Sequence, residues 1–295
     1  MAAARKEGLV VRALGGFFFV AAEGTTYRCI VRGTLKKKEE ILVGERVVFS
    51  GEGLTQGVIE DVLPRHSRLL RPPIANADKA VVVLAANEPP PNYLLVDRIL
   101  VQGEAAGLEI ILCLNKSDLL EDPSQAKEIL TPYRLAGYRT YSVSCKTLDN
   151  VDAVKKELND CITVLAGQSG VGKSSLLNAI EPGLNLATGK VSQRTGRGRH
   201  TTRQVELLAL AQGGWVADTP GFSTLGVLEV ELEELVYLFP EMGAVAPQCR
   251  FPDCQHEVEP DCAVRAAVDA GQVMPVRYES YLVMARELRE LRRKW

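Results

Sequence analysis

GQSGVGKSS, residues 167–175, decides how the rest of the chain is read. A glycine, four residues, then Gly172, Lys173 and Ser174 is the spacing of a phosphate-binding loop. Glycines let successive backbone N–H groups turn toward one anion at a helix N-terminus, where the helix dipole favours negative charge. The stretch follows CITVLAG (161–167), which reads as a buried strand, and runs into KSSLLNAI (173–180), which reads as a helix. That is the context the chemistry requires. Nucleotide phosphates are therefore expected against Gly167, Gln168, Ser169, Gly170, Val171, Gly172, Lys173, Ser174 and Ser175. Lys173 is expected to reach the β- and γ-phosphates as a catalytic group, and Ser174 to ligate Mg²⁺. Such a loop usually opens its domain; here it follows more than half of the 295 residues.

Further loops complete a guanine-nucleotide set. Asp218-Thr219-Pro220-Gly221 follows the strand-like WVA (215–217). An aspartate at a strand end can hold Mg²⁺ through water, and the Gly221 N–H can sense the γ-phosphate. Asn115-Lys116-Ser117-Asp118 follows EIILCL (109–114). A carboxylate there accepts two hydrogen bonds from guanine N1–H and N2–H₂. Adenine lacks that pair and would leave the carboxylate buried and unpaired, so the base is expected to be guanine. Ser144-Cys145-Lys146, after YRTYSV (138–143), is expected to close the base pocket through backbone contacts. Thr201-Thr202 reads as the switch loop. Thr202 is favoured as the ligand of Mg²⁺ and γ-phosphate, with Thr201 as the alternative.

Most GTPases run phosphate loop, switch, DxxG, NKxD, SAK. This chain runs NKSD, SCK, phosphate loop, switch, DTPG. The order is rotated, not scrambled. Joining the ends of the ordinary domain and opening it after DxxG yields it with the same sheet. From about 78 to 225, short apolar runs alternate with helical segments such as LLVDRILVQGEAAG (94–107). That pattern predicts an α/β fold, a mostly parallel sheet with helices on both faces.

The remainder differs in kind. Residues 1–67 hold GLVV (8–11), FFFVAA (17–22), YRCIVRG (27–33), RVVFSG (46–51) and GVIEDVL (57–63), separated by glycine-rich turns. Five short strands in that length predict a small β-barrel, an OB-fold. Twelve Lys and Arg against eight Asp and Glu over 1–71, with Lys36-Lys37-Lys38 in one loop, suit RNA contact or a solvated loop equally. Phe17-Phe18-Phe19 must present rings to both faces of a strand, so one is expected to face outward and stack on a base or else pack. RHSRLLRPPIANADKA (65–80) reads as a linker interrupted by Pro72-Pro73. After 225 the chain turns helical, with LEELVYLF (232–239) as one helix and RYESYLVMARELRELRRK (277–294) as a closing amphipathic one.

Cys249, Cys254, His256 and Cys262 are spaced C-x4-C-x-H-x5-C, three thiolates and an imidazole that suit one tetrahedral, structural Zn²⁺. Cys29, Cys113, Cys145 and Cys161 are expected to pack or to lie near the nucleotide. A net charge of −2 gives no global field for nucleic acid, so any such surface is local. No apolar run reaches the length of a membrane span, and the N-terminus lacks a convincing secretory cleavage site. The expected location is cytoplasmic, with an organellar stroma as the alternative, and the expected state is a monomer.

GQSGVGKSSLLNAI, GRGRHTTR, DTPGF, NKSDL and the Cys/His segment together resemble the circularly permuted, ribosome small-subunit-dependent GTPase A family, along nearly the whole chain. The resemblance implies an OB-fold RNA-binding domain over 1–67, a permuted GTPase domain over 68–225 and a zinc-binding helical domain over 226–295. It also implies hydrolysis of GTP to GDP stimulated by the 30S subunit and its rRNA, and a part in that subunit's late maturation. A GTP-regulated RNA-binding switch with a non-ribosomal partner is the alternative.

Phe222 stands where related GTPases place a glutamine to orient the attacking water. A phenyl ring cannot hydrogen-bond water, so intrinsic hydrolysis should be slow. His200, beside the switch threonines, is the catalytic candidate in this chain; RNA contact or packing of the switch is the equal alternative. Gly170 occupies the place where some GTPases hold a potassium ion through asparagine, so that device is not expected. KVSQRTGRGRHTTR (190–203) carries five Lys and Arg and no acid, a composition that can order on rRNA phosphates. Because the chain passes from DTPG almost directly into the Cys/His region, movement of 218–225 on γ-phosphate loss would be felt there.

Overall fold

A computed structural model describes residues 5–33, 40–52, 55–70, 72–187, 205–218 and 230–293. The chain divides into two compact units. One comprises Met1–Lys79, Leu158–Leu165 and Gln193–Phe222; the other comprises Ala80–Glu157, Ala166–Ser192 and Ser223–Trp295.

Strands β1 (Arg5–Leu14), β2 (Phe17–Ala22), β3 (Thr25–Val31), β4 (Arg46–Glu52) and β5 (Gln56–Val62) pair in the order β1-β2-β3-β5-β4. β4 pairs back onto β1 and closes the barrel; β3–β5 is parallel and the other pairs are antiparallel. Alternation decides what is inside: on β3, Tyr27 and Cys29 point inward while Arg28 and Ile30 are exposed. Val10, Val20, Val47, Phe49 and Ile59 complete the interior, each such side chain contributing about 1.5–3 kcal/mol on burial. Phe18 packs against this core. Phe17 and Phe19 face the other way, but each is covered by a guanidinium, Arg28 at 3.7 Å and Arg12 at 4.0 Å from the ring centroid. Two rings are thus outward rather than one. Lys36, Lys37 and Lys38 lie outside the described residues.

The expected linker is more ordered than its prolines suggest. Strands β6 (Arg68–Leu70) and β7 (Pro73–Ala75) form a two-stranded hairpin, and Ile74, Ala75 and Ala77 are buried. Pro73 is tolerated because it begins its strand. Asn76, buried, takes the His66 N–H and donates to the Gly44 carbonyl, which ties the segment to the barrel.

The second unit begins with β8 (Lys79–Ala85), α1 (Tyr93–Ala105), β9 (Glu109–Asn115), α2 (Pro123–Leu135), β10 (Arg139–Ser142) and α3 (Val151–Glu157). The strand order is β10-β9-β8, with β9 and β10 parallel and in register from Ile111–Arg139 to Leu114–Ser142. Next along the chain come β11 (Ile162–Ala166), α4 (Lys173–Ile180), β12 (Glu206–Ala209) and β13 (Trp215–Asp218); α4 belongs to the second unit, while β12, β13 and all of β11 but Ala166 belong to the first. β11 and β13 are parallel, β12 and β13 antiparallel, and β12 pairs with β1 at Glu206–Arg12. α5 (Pro240–Gly243), α6 (Ala263–Asp269) and α7 (Pro275–Arg292) finish the chain.

LEELVYLF is not the helix its composition suggested. It forms one 3-10 turn over Leu235–Leu238, because Pro240 holds Phe239 extended at φ −113 and ψ 95. Leu235, Phe239 and Met242 instead pack with Val264, Tyr281, Met284, Leu288 and Val101 of α1 in one apolar cluster.

Candidate nucleotide and metal sites

The phosphate loop leaves the end of β11 and enters α4. Gly167, Gly170 and Gly172 have φ of +137°, +84° and +96°, which glycine reaches without strain. At two of them space also forbids a side chain: a Cβ would stand 2.1 Å from the Val83 carbonyl oxygen at Gly167 and 2.3 Å from Asn115 Nδ2 at Gly172. Val171 is buried, Ser169 and Gly170 are exposed at the tip, and Gln168, Ser174 and Ser175 are half-buried. Lys173 Nζ donates to the carbonyls of Gly167 (2.7 Å) and Gln168 (2.9 Å). Burial pushes its ammonium down to about 8. Two carbonyls are modest partners for a half-buried cation; phosphate oxygens would be stronger ones.

NKSD and SCK sit at the C-terminal ends of parallel β9 and β10, where open α/β sheets place their ligands. One contact joins these loops to the phosphate loop, and others join the two loops to each other. Asn115 Nδ2 donates to the Val171 carbonyl at 2.9 Å. Asn115 Oδ1 accepts from the Cys145 thiol at 3.2 Å and from its N–H at 3.4 Å. Ser144 Oγ donates to Asp118 Oδ1 at 2.6 Å and accepts from the N–H groups of Lys146 and Thr147. Lys116, in the left-handed region at φ +62, donates to the Glu88 carbonyl, and Ser117 N–H bonds the Val143 carbonyl at 3.1 Å. Asn115 is therefore the hinge pin of the pocket. The chemistry of base selection points to Asp118, and nothing local in the sequence signals what Asn115 does.

Asp218 ends β13, one residue past the Val164–Ala217 pair. Its side chain, Gly221, Phe222, His200, Thr201 and Thr202 lie outside the described residues.

Cys249, Cys254, His256 and Cys262 come together, with one ligand atom from each all within 4.8 Å of one another. His256 Nδ1 is 3.5 Å from both Cys249 Sγ and Cys262 Sγ, which are 3.9 Å apart. Burial lowers the His256 pKa, keeping the imidazole in the neutral form that ligates metal. The group can hold a metal ion. Of the other four cysteines, Cys29, Cys113 and Cys161 are buried, and Cys145 lies at the base pocket.

One charged cluster escaped sequence reasoning. Arg277 of α7, 1% exposed, donates to Asp97 of α1 and to both oxygens of Glu241 on α5. Burial raises the Asp97 pKa even with Arg277 beside it. Burial works to lower Arg277 as well, but Asp97 and Glu241 outweigh it and hold the guanidinium charged. The only trace in the sequence is an aspartate on the apolar face of α1, among Val96, Ile99 and Leu100.

Comparison with known proteins agrees with this geometry. The RsgA GTPase family matches residues 62–228 and the RsgA N-terminal domain family matches residues 7–59. A protein of Moorella thermoacetica named small ribosomal subunit biogenesis GTPase RsgA is 45% identical over 96% of this chain and 97% of its own length. One of the same name from Halalkalibacterium halodurans is 44% identical, with 96% and 97% covered. Among solved structures, YloQ, described as a circularly permuted GTPase, superposes with TM-score 0.82 at 39% identity, over 97% of this chain and 96% of that one. YjeQ from Thermotoga maritima gives 0.85 at 36% identity, over 97% and 99%.

Proposed function

The chain belongs to the RsgA GTPase family, and from that premise we propose that it hydrolyses GTP to GDP and phosphate in the biogenesis of the small ribosomal subunit. The observation that carries the nucleotide half is the frame in which Asn115 and Ser144 join the phosphate loop, NKSD and SCK into one pocket. Ser144 holds Asp118 so that its carboxylate presents acceptors to guanine N1–H and N2–H₂. The N–H groups of residues 168–173 cradle the phosphates. Lys173 exchanges the Gly167 and Gln168 carbonyls for phosphate oxygens. Ser174, Asp218 and Thr202 would hold the Mg²⁺ that accompanies GTP, and the ion would supply positive charge to the γ-phosphate.

Phe222 offers the attacking water no hydrogen bond, so an activator must position that water or supply charge. Such contributions are worth on the order of 10³–10⁵ in rate. We assign the activator role to the 30S subunit and the proton-handling position to His200. The barrel and residues 190–203 supply the basic surfaces for rRNA. The protein acts as a monomer in the cytoplasm; no helix among the described residues is long and apolar enough to cross a membrane.

The metal is zinc. Zn–S and Zn–N bonds of about 2.3 and 2.05 Å give tetrahedron edges of about 3.8 Å between sulfurs and about 3.6 Å from sulfur to nitrogen. The 3.9 Å between Cys249 and Cys262 and the 3.5 Å from His256 to each match both, with the fourth ligand atom, of Cys254, within 4.8 Å of the others. The four residues would fill all four positions of a tetrahedral ion, which gives it a structural role.

Asp118→Asn tests the pocket. Loss of two hydrogen bonds to a charged acceptor, each worth about 1.5–3 kcal/mol, should weaken GDP binding at least ~100-fold. The amide should improve xanthine nucleotides, whose C2 carbonyl accepts from it. Unchanged GDP affinity would sink the base assignment.

A further inference from the structure

Three of the metal ligands meet the apolar cluster, Cys262 within it and Cys249 and Cys254 against it, while His256 is buried and held in the left-handed region at φ +60. A non-glycine residue stays there only when its surroundings fix it. Those surroundings come from two places. Within the loop, Glu259 accepts from the N–H groups of Gln255 (3.0 Å), Glu257 (3.0 Å) and Val258 (3.1 Å). From outside, one helix reaches in four times. Tyr278 OH donates to the His256 carbonyl at 2.6 Å, and Tyr281 OH to the Gln255 carbonyl at 3.1 Å. Arg286 and Arg289 take the two oxygens of Glu257, at 2.9 Å from Nε and 2.6 Å from Nη1. These positions recur at helical spacing on α7, so one face of one helix addresses three consecutive loop residues.

We propose that Tyr278, Tyr281, Arg286 and Arg289 are positioning residues for the metal site, which α7 holds in ligand-ready form. The helix itself is fixed by the buried Arg277 bonds to Asp97 and Glu241, one residue before Tyr278. With its carbonyl clamped from α7, the His256 backbone is held where Nδ1 stands 3.5 Å from the sulfurs of both Cys249 and Cys262. The Cys249 sulfur has its own donor, the Ala263 N–H at 3.3 Å, at the start of α6. Ordering done by the protein need not be done by the ion, so metal affinity and residence time are set by a helix that contributes no ligand. Outer contacts of this kind are worth roughly 10–100-fold in metal affinity. The inference rests on reading the Cys/His cluster as a zinc site.

The test uses full-length protein and Zn²⁺ with a competing chelating dye, comparing wild type, Tyr278→Phe/Glu257→Gln and Arg292→Gln. Arg292 lies on the same helix but pairs with Glu231 and Glu233, away from the metal loop. We expect one zinc per wild-type chain and a roughly 10–100-fold affinity loss in the double variant. Arg292→Gln should match wild type, and the Co²⁺-loaded double variant should keep the absorption of a tetrahedral three-thiolate site. Stoichiometric wild-type binding with double-variant affinity within about twofold of it would overturn the positioning role, as would an equal loss in Arg292→Gln. A wild-type chain that binds no zinc would overturn the metal reading and this inference with it.

Discussion

At the scale of residues, Lys173 is the group whose state the nucleotide must change. Burial depresses its pKa to about 8, so above that pH the free protein carries a neutral amine. Phosphate oxygens favour the ammonium. GDP binding should therefore take up a proton above pH 8 and almost none near pH 6.5, with affinity falling as pH rises past 8. Calorimetry in buffers of different ionisation enthalpy measures that uptake; none at pH 8.5 would show that Lys173 is not the phosphate ligand. Gly172 gives a steric counterpart. Alanine there meets Asn115 Nδ2 at 2.3 Å and a φ of +96°, so Gly172→Ala should lose nucleotide binding while thermal unfolding of the barrel is unchanged. The residues of NKSD and GQSGVGKSS were legible because each motif keeps its chemistry within a few positions. Asn115 was legible only as a motif member: its work is to bond Val171 and Cys145, which lie 56 and 30 residues away.

At the scale of elements, strands were easier to read than helices. The barrel strands announced themselves as short apolar runs between glycine-rich turns, and all five appear as β1 to β5. LEELVYLF failed because one downstream proline overrides a helical composition. The linker failed in the opposite sense, since Ile74 and Ala75 are buried against a barrel loop whose approach no local pattern encodes; Gly44 leaves only 2.0 Å from a Cβ to the Ala75 oxygen. The α1–α7 ion cluster was invisible because its partners are 180 residues apart. Removing Arg277 leaves Asp97 buried and uncompensated, so Arg277→Met should cost about 3–5 kcal/mol. The cost has a pH sign. Burial raises the folded pKa of Asp97 above its unfolded value, and without Arg277 it rises further. The penalty is then small below the unfolded pKa and grows as pH climbs through the folded one. Denaturant titrations at pH 5 and pH 8 should show the variant losing more stability at pH 8; equal losses would mean that Asp97 is protonated in wild type as well.

At the scale of the whole molecule, the rotated motif order made a GTPase legible before any coordinates. A permutation leaves every strand-end loop with its neighbours, so NKSD and SCK still sit at the ends of adjacent parallel strands. The placement of α7 against the Cys/His loop could not be read, because a helix of alternating Arg and Glu looks like a solvated one until its partners are seen. The central claim is that GTP turnover by this chain answers to the small ribosomal subunit. The direct measurement is phosphate release from GTP at fixed salt, alone, with purified 30S subunits and with 50S subunits. The account predicts slow release alone and with 50S, and a rise of more than about tenfold, a barrier lowered by at least ~1.4 kcal/mol, with 30S only. Equal rates in all three would contradict it and leave a GTP-binding switch with a different activator.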